Sequence, residues 1–192
     1  MRYSALARML KYFRYYWIAA NSKGHGIHSP FVFKFIQELL NSKRPMVINE
    51  DELTNTLPLI QEIEYAYKYT LPFKIKSLIK RSIQQFRPNS YCVLKNEMLV
   101  EGLVKSEKID FVFMAECNSV DLIFSNLDLL MQKLHADSWM ILQGIHTSPE
   151  MEKVWQHLKK HPKVRLTIDL FFIGFLFCRM EQREKEHFII RY

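Results

Sequence analysis

Residues 109–142 read IDFVFMAECNSVDLIFSNLDLLMQKLHADSWMIL, and this stretch decides the predicted fold. The run at residues 111–114 is continuously apolar, as is typical of a strand that is buried on both faces. A helix is predicted over residues 119–134, because apolar side chains recur there at intervals of three and four. Residues 138–142 are a second buried strand. Strand, helix and strand in this order predict a parallel α/β unit with a right-handed crossover.

The alternation of strands and helices continues toward the C-terminus. Residues 147–150 read Thr-Ser-Pro-Glu, in which the threonine and the glutamate have the spacing of a capping box at a helix start. Strands are predicted over residues 164–170 and 173–178. Their connection is too short for a crossover, so the two strands must be antiparallel. After a charged turn, residues 187–191 are predicted to form an edge segment.

Residues 1–88 are predicted to be helical. One helix begins at Ser29 and Pro30, with serine as the N-cap and proline in the first helical position. The following helix is expected to break or restart at Pro58. The last helix of this region is predicted over residues 72–86. The fold is therefore predicted to be α/β, with this helical region preceding a core of about five mostly parallel strands over residues 89–192 in one compact unit.

Glycine is scarce in this chain. At the usual frequency of about 7%, a chain of this length carries roughly 13 glycines. This one has 5 in 192 residues. The shortage excludes the G-x-G-x-x-G dinucleotide loop and the Walker phosphate loop, since both need clustered glycines to bring backbone N–H groups against phosphate.

Cysteine usage and hydropathy limit the class of protein further. The three cysteines are isolated, which excludes a disulfide framework and a C-x-x-C zinc site and favours a reducing compartment. No apolar run approaches the length of about 18 residues that a membrane-spanning helix needs. No signal peptide is recognised. We therefore expect a cytoplasmic protein, with membrane association left open.

The positive charge is concentrated at the N-terminus. The net charge is +7, and residues 1–37 contain six basic residues and no acidic one. A helix predicted over about residues 4–20 has an apolar stripe of Leu6, Leu10, Phe13 and Trp17. We expect this stripe to pack on the domain. The alternatives are a protein partner, an anionic membrane surface, or RNA with rings stacked on bases, with the candidate surface-binding residues Arg2, Arg8, Lys11 and Arg14.

Polar residues follow the two buried strands at the edge where α/β proteins place ligands. Glu116, Cys117 and Asn118 come after the first strand, and Gln143 and His146 come at the end of the second. Glu116 and His146 are the candidate catalytic residues, and the other three are candidates for binding a cofactor. A thiol without an orienting histidine does not make a nucleophile site. For His146, a role at a helix entry is an alternative to acid–base chemistry.

No metal site is predicted. His25 and His28 have H-x-x-H spacing, but no cysteine, aspartate or glutamate nearby completes a set of ligands. Lys163 and the two lysines at positions 159 and 160 are expected to form a solvated face.

Two stretches resemble a known family. Residues 24–33, GHGIHSPFVF, and segments of residues 145–188, including EMEK, HPKV, TIDLFF and KEHF, are similar to a methyltransferase-like group common in Bacteroidetes. The similarity covers about half of the chain. The group resembles class I S-adenosylmethionine-dependent methyltransferases. The resemblance implies a Rossmann-like sheet that ends in an antiparallel strand pair, and S-adenosylmethionine as the cofactor if the activity is retained.

The middle of the chain departs from this family. Only 24 residues separate Phe86 from Phe111, whereas a βαβ unit takes about 30 or more, so part of the cofactor-binding half is missing. Where the family pattern has aspartates at strand ends, this chain has Ala115, Gln143 and Gly144. Alanine, glutamine and glycine do not replace the hard oxygen ligands of a divalent ion.

These departures lead to three functional hypotheses. The first is a non-catalytic binding or structural protein with a remnant methyltransferase-like fold, no bound S-adenosylmethionine and an unidentified protein partner. The second is an active methyltransferase with an atypical cofactor pocket around Glu116, Cys117, Asn118 and His146. The third is a module that docks on membrane or RNA through its N-terminal helix, and it is compatible with the first.

Overall fold

The computed structural model describes residues 1–20, 27–42, 50–67, 71–95, 107–116, 120–179 and 184–192. Their helices and strands follow in chain order: α1 Ala5–Ile18, α2 Pro30–Phe35, which continues into a π-helical turn Ile36–Leu40, α3 Glu50–Tyr67, α4 Phe73–Phe86, β1 Tyr91–Leu94, β2 Ile109–Met114, α5 Val120–Lys133, β3 Leu134–Gln143, α6 Pro149–Lys160, β4 Leu166–Asp169, β5 Ile173–Phe177 and β6 Glu186–Ile189.

The strands form one mixed sheet in the order β1-β2-β3-β5-β4-β6. β1, β2 and β3 are parallel to one another, and β5 runs antiparallel to both of its neighbours, β3 and β4. The predicted antiparallel pairing of the two closing strands is confirmed. The predicted edge segment is a sixth strand, β6, which pairs in parallel with β4. The fold is therefore α/β, with a reversed strand inside the sheet rather than at its edge.

Helices cover both faces of the sheet, because its central strands are apolar on both sides. Phe111 and Phe113 of β2 face the layer of α2, α3 and α4. Val112 and Met114 face α5 and α6. Alternate residues of a strand point to opposite faces, so the continuous apolar run of β2 serves both layers. The helices of residues 27–86 thus share one core cluster with the sheet.

Two local predictions are wrong. α3 runs through Pro58 without a break. A proline inside a helix is costly, and burial of Leu59, Ile60 and Ile63 directly after it stabilises the continuous helix.

The second error concerns the start of α6. Its N-cap is Ser148, whose Oγ accepts a hydrogen bond from the Met151 N–H at 3.1 Å. The Thr147 hydroxyl instead donates to the Gly144 carbonyl at 2.7 Å. Thr147 therefore belongs to the turn that follows β3, and Glu150 forms an ion pair with the N-terminal ammonium group at 3.1 Å.

Lysine side chains cap two helix C-termini. The Lys163 Nζ donates to the carbonyls of Met131 and Leu134 at 2.6 and 2.8 Å. The Lys185 Nζ donates in the same way to the Lys160 carbonyl at 2.7 Å. Unpaired carbonyls give the end of a helix partial negative charge, which a cation stabilises. Lys163 is exposed, as the predicted solvated face requires, and its ammonium group in addition caps α5.

β5 and α6 approach each other at Gly174. A Cβ atom added there would lie 2.5 Å from a ring carbon of Trp155, a side chain that is 1% exposed. We expect Gly174→Ala to lower the free energy of unfolding by about 1–3 kcal/mol, because the buried indole has no room to move. Urea denaturation followed by circular dichroism measures this difference.

The same substitution in a Trp155→Leu background is the control. The smaller side chain makes room for the methyl group, so the cost of Gly174→Ala should fall well below its value in the parent chain. An equal cost in both backgrounds would contradict the steric explanation.

Candidate functional site

The predicted site residues meet at the carboxyl ends of β2 and β3. Glu116 follows β2, and Gln143 is the last residue of β3 and is buried. Gly144 has a φ of 72° and turns the chain away from the sheet. A Cβ atom at Gly144 would lie 3.2 Å from the Glu116 Cβ, so the two loops are in close contact. Cys117 and Asn118 lie outside the described residues.

The N-terminal segment, residues 1–3, crosses this edge of the sheet. The Arg2 Nε donates to the Glu116 Oε1 at 2.7 Å, and the Glu116 side chain is only 10% exposed. The Tyr3 backbone N–H donates to the Thr147 carbonyl at 2.9 Å. The cavity that these contacts leave at the edge has a volume of about 60 Å³, far below the 300 Å³ or so at which small-molecule pockets begin.

His146 is held between two carboxylates. Its Nε2 is 2.8 Å from the Asp169 Oδ2, and its Nδ1 is 3.3 Å from the Glu152 Oε1. The imidazole stacks on the Phe171 ring, with 5.2 Å between the ring centroids. Burial by itself lowers the pKa of His146, but the hydrogen bonds and charges of Asp169 and Glu152 outweigh it and raise the pKa above 6.5. The protonated ring donates to both carboxylates, which leaves neither nitrogen available to a substrate.

Glu152 is the centre of this cluster. Its carboxylate accepts hydrogen bonds from the Tyr3 hydroxyl at 2.9 Å and from the Lys11 Nζ at 2.8 and 3.1 Å, in addition to the contact with His146. Burial raises the pKa of Glu152, but these donors outweigh burial and hold the pKa below 4.5. We call Tyr3, Lys11, His146, Glu152 and Asp169 the Glu152 network. It joins the N-terminus and α1 to α6 and β4.

Sequence reasoning missed three members of this network, Tyr3, Glu152 and Asp169. Asp169 offered a signal, because it is a charged residue within the apolar run from Ile168 to Phe172 and is 6% exposed. A carboxylate at such a position needs a partner. Glu152 offered no signal, since an acidic residue in the first turn of a helix is ordinary.

The orientation of α1 is opposite to the predicted one. Leu6, Leu10, Phe13 and Trp17 were expected to pack on the domain, and they are 63%, 59%, 53% and 82% exposed. The inner face instead carries Tyr15, which is buried. Its hydroxyl donates to the Ile190 carbonyl and its ring packs against Phe171. Periodicity identifies an apolar stripe, but it does not show which side of the helix meets the protein.

The four candidate surface-binding cations differ in their environments. Arg2 and Lys11 are paired with Glu116 and Glu152. Arg8 is half-buried and lines the small cavity at the sheet edge. Arg14 is exposed. Arg14 and Lys11 also line a larger groove of about 780 Å³ between α1 and α6, to which α6 contributes Lys153, Lys159 and Lys160.

The described residues do not meet the requirements of a metal site, a reactive thiol or a membrane-spanning helix. In the part of the chain that the structure describes, no cluster of three or more histidine, cysteine, aspartate or glutamate side chains is arranged to hold a metal ion. Burial raises the pKa of the Cys92 and Cys178 thiols to about 11, so neither is a reactive thiolate. Among the described helices, none has the length and hydropathy to span a bilayer.

The chain matches no protein-family model, no curated protein and no solved structure.

The raised pKa of His146 predicts a pH-dependent contribution to stability. A raised pKa means that the protonated ring stabilises the fold fully below pH 6.5, and that this contribution disappears as the pH rises through the raised value. The low pKa of Glu152 keeps its carboxylate ionised over the same range. We expect His146→Gln to cost about 2 kcal/mol near pH 6 and clearly less near pH 9, measured by urea denaturation at each pH.

His28→Gln is the matched control for this measurement, because His28 is exposed. It should leave stability unchanged at both pH values. A cost of His146→Gln that is the same at pH 6 and pH 9 would rule out the protonated bridge between Glu152 and Asp169.

Proposed function

We propose that this chain is a non-catalytic binding protein on a methyltransferase-like fold, in which its own N-terminus closes the edge that would hold S-adenosylmethionine. One observation carries this proposal. The Arg2–Glu116 ion pair and the hydrogen bond from Tyr3 to Thr147 place residues 1–3 over the carboxyl ends of β2 and β3. The cavity of about 60 Å³ that remains does not fit a nucleoside cofactor.

The strand order supports the methyltransferase-like part of the proposal. The resemblance implies parallel strands followed by an antiparallel closing pair. The sheet has three parallel strands, then the reversed strand β5, then β4. The short β1 and the 24 residues between Phe86 and Phe111 agree with a cofactor-binding half that is reduced in size.

The side chains at the edge support the non-catalytic part. Gln143 and Gly144 stand at the end of β3, where the resembling family has aspartates that bind a metal ion. The carboxylate of Glu116 is neutralised by Arg2, and both nitrogens of His146 are engaged by carboxylates. A general base must have an unengaged lone pair within reach of its substrate. His146 offers none, and the Arg2 guanidinium occupies one oxygen of the Glu116 carboxylate.

Isothermal titration calorimetry of the full chain with S-adenosylmethionine tests the proposal. We expect no binding in the micromolar range, because the described residues at the edge leave no volume for the cofactor. Micromolar binding by the parent chain would overturn the proposal in favour of an active methyltransferase with an atypical pocket.

Two variants sharpen this test. Arg2→Ala removes the ion pair that closes the edge. Lys34→Ala is the matched control, because it removes a surface cation of α2 that pairs with Glu38 of the π-helical turn, away from the edge. Neither variant should bind S-adenosylmethionine. Binding by Arg2→Ala alone would identify the N-terminus as a lid on a working cofactor site, and would contradict a non-catalytic protein.

A further inference from the structure

We infer that the outer face of α1 is a docking surface for anionic lipid membranes. This outer face consists of Leu6, Met9, Leu10, Phe13, Tyr16 and Trp17. The inference goes beyond the proposed function and does not depend on it, since α1 presents the same face whether or not the sheet edge binds a cofactor.

The six side chains form one continuous apolar strip. At 3.6 residues per turn they lie within an arc of about 120° around the helix axis. Each is between 46% and 82% exposed, with Trp17 the most exposed and Tyr16 the least. Single exposed apolar side chains are common on protein surfaces, but a contiguous strip marks a site of interaction with a protein or a membrane.

The outer face is held outward by contacts on the other side of α1. Lys11 is bonded to Glu152, and Tyr15 packs in a buried cluster with Ala19 and Phe171. Beyond the end of the helix, the Ala20 N–H donates to the Ile189 carbonyl at 2.8 Å. Turning the apolar strip toward the domain would separate Lys11 from the half-buried Glu152 carboxylate and remove Tyr15 from its buried cluster, and both changes are costly. The exposure of the strip is therefore a built feature of the fold.

The charges beside the strip favour an anionic surface. α1 contains no acidic residue, and the exposed Arg14 lies about 40° around the helix from Leu10. The adjoining groove adds Lys153 and Lys160, both exposed, and Lys159. The acidic residue of this groove nearest to α1, Glu152, is already neutralised by Lys11. An amphipathic helix with cations beside its apolar face binds at the interface of membranes that contain anionic lipids.

The composition of the strip favours a membrane over the other occupants. A 14-residue helix is about 21 Å long and lies flat at an interface. Tyr16 and Trp17 are ring types that concentrate at the boundary between headgroups and acyl chains. RNA would use the rings but would gain little from Leu6, Met9 and Leu10. A second copy of the chain would bring like charges, Arg14 among them, toward each other.

Vesicle flotation with the full chain tests the inference. One set of vesicles contains phosphatidylcholine alone, and the other contains phosphatidylcholine with phosphatidylglycerol. We expect binding to the second set, decreasing as the salt concentration rises. Phe13→Glu should weaken it about tenfold or more, since it removes an aromatic side chain from the buried area and adds a like charge to the anionic surface.

Matched variants test whether vesicle binding depends on the outer face of α1 or on any exposed aromatic or basic residue of the protein. Phe73→Glu replaces another exposed aromatic residue, at 85% exposure on α4, and should bind vesicles like the parent chain. Arg14→Glu should weaken binding, whereas Lys34→Glu, at a cation 66% exposed on α2, should not. Equal losses for Phe13→Glu and Phe73→Glu would overturn the inference.

Tryptophan fluorescence gives a second reading from the same samples. Of the three tryptophans, Trp139 and Trp155 are 3% and 1% exposed, so a blue shift on adding anionic vesicles must come from Trp17. Trp17→Phe should abolish the shift. The inference fails if the parent chain shows neither flotation nor a shift, if it binds an RNA oligomer instead, or if Phe13→Glu converts a dimer to a monomer without any binding to vesicles.

Discussion

The hydrogen-bonded, half-buried carboxylate of Glu152 is the feature on which the position of the N-terminus and of α1 depends. It accepts hydrogen bonds from the Tyr3 hydroxyl and the Lys11 ammonium group, and it faces the imidazole of His146, which also bridges to Asp169. A half-buried carboxylate of this kind is tolerated only when donors surround it. Because those donors come from the N-terminal segment, from α1 and from the loop after β3, the requirement brings together segments that lie 141 and 149 residues apart in the chain.

Two features of the surface follow from that requirement. Residues 1–3 must lie across the carboxyl edge of the sheet for Tyr3 to reach Glu152, and Arg2 is then beside Glu116. α1 must also turn its Lys11 side inward, so its apolar strip faces away from the domain. An ordinary surface helix packs its apolar face on the core and leaves its charges in water. In this protein the polar contacts are inside and the leucines, phenylalanine and tryptophan are outside.

The sequence predicts the local elements well, because they depend on periodicity. The strand β2, the helix α5, the limits of α1 and α4 and the antiparallel pairing of β4 with β5 all follow from spacing and from short connections. The errors arise where a contact with a residue distant in the chain determines the structure. α3 continues through Pro58 because Leu59 and Ile63 are buried in the core cluster that α3 shares with the sheet. α1 turns its Lys11 side inward because Lys11 pairs with Glu152, which lies 141 residues away in the chain. No pattern within a single segment contains that information.

The same limit applies to the candidate site, where the sequence predicts the positions of the polar residues but not their roles. The sequence places Glu116, Gln143 and His146 correctly at one edge of the sheet, since the ends of parallel strands are neighbours. What each side chain does there depends on its partners. A histidine with one free nitrogen is an acid or a base, whereas His146 between Glu152 and Asp169 is a counter-ion whose pKa is raised and whose nitrogens are engaged. The polar residues of the edge therefore hold the N-terminus in place, and the attachment of α1 that results keeps its apolar strip exposed.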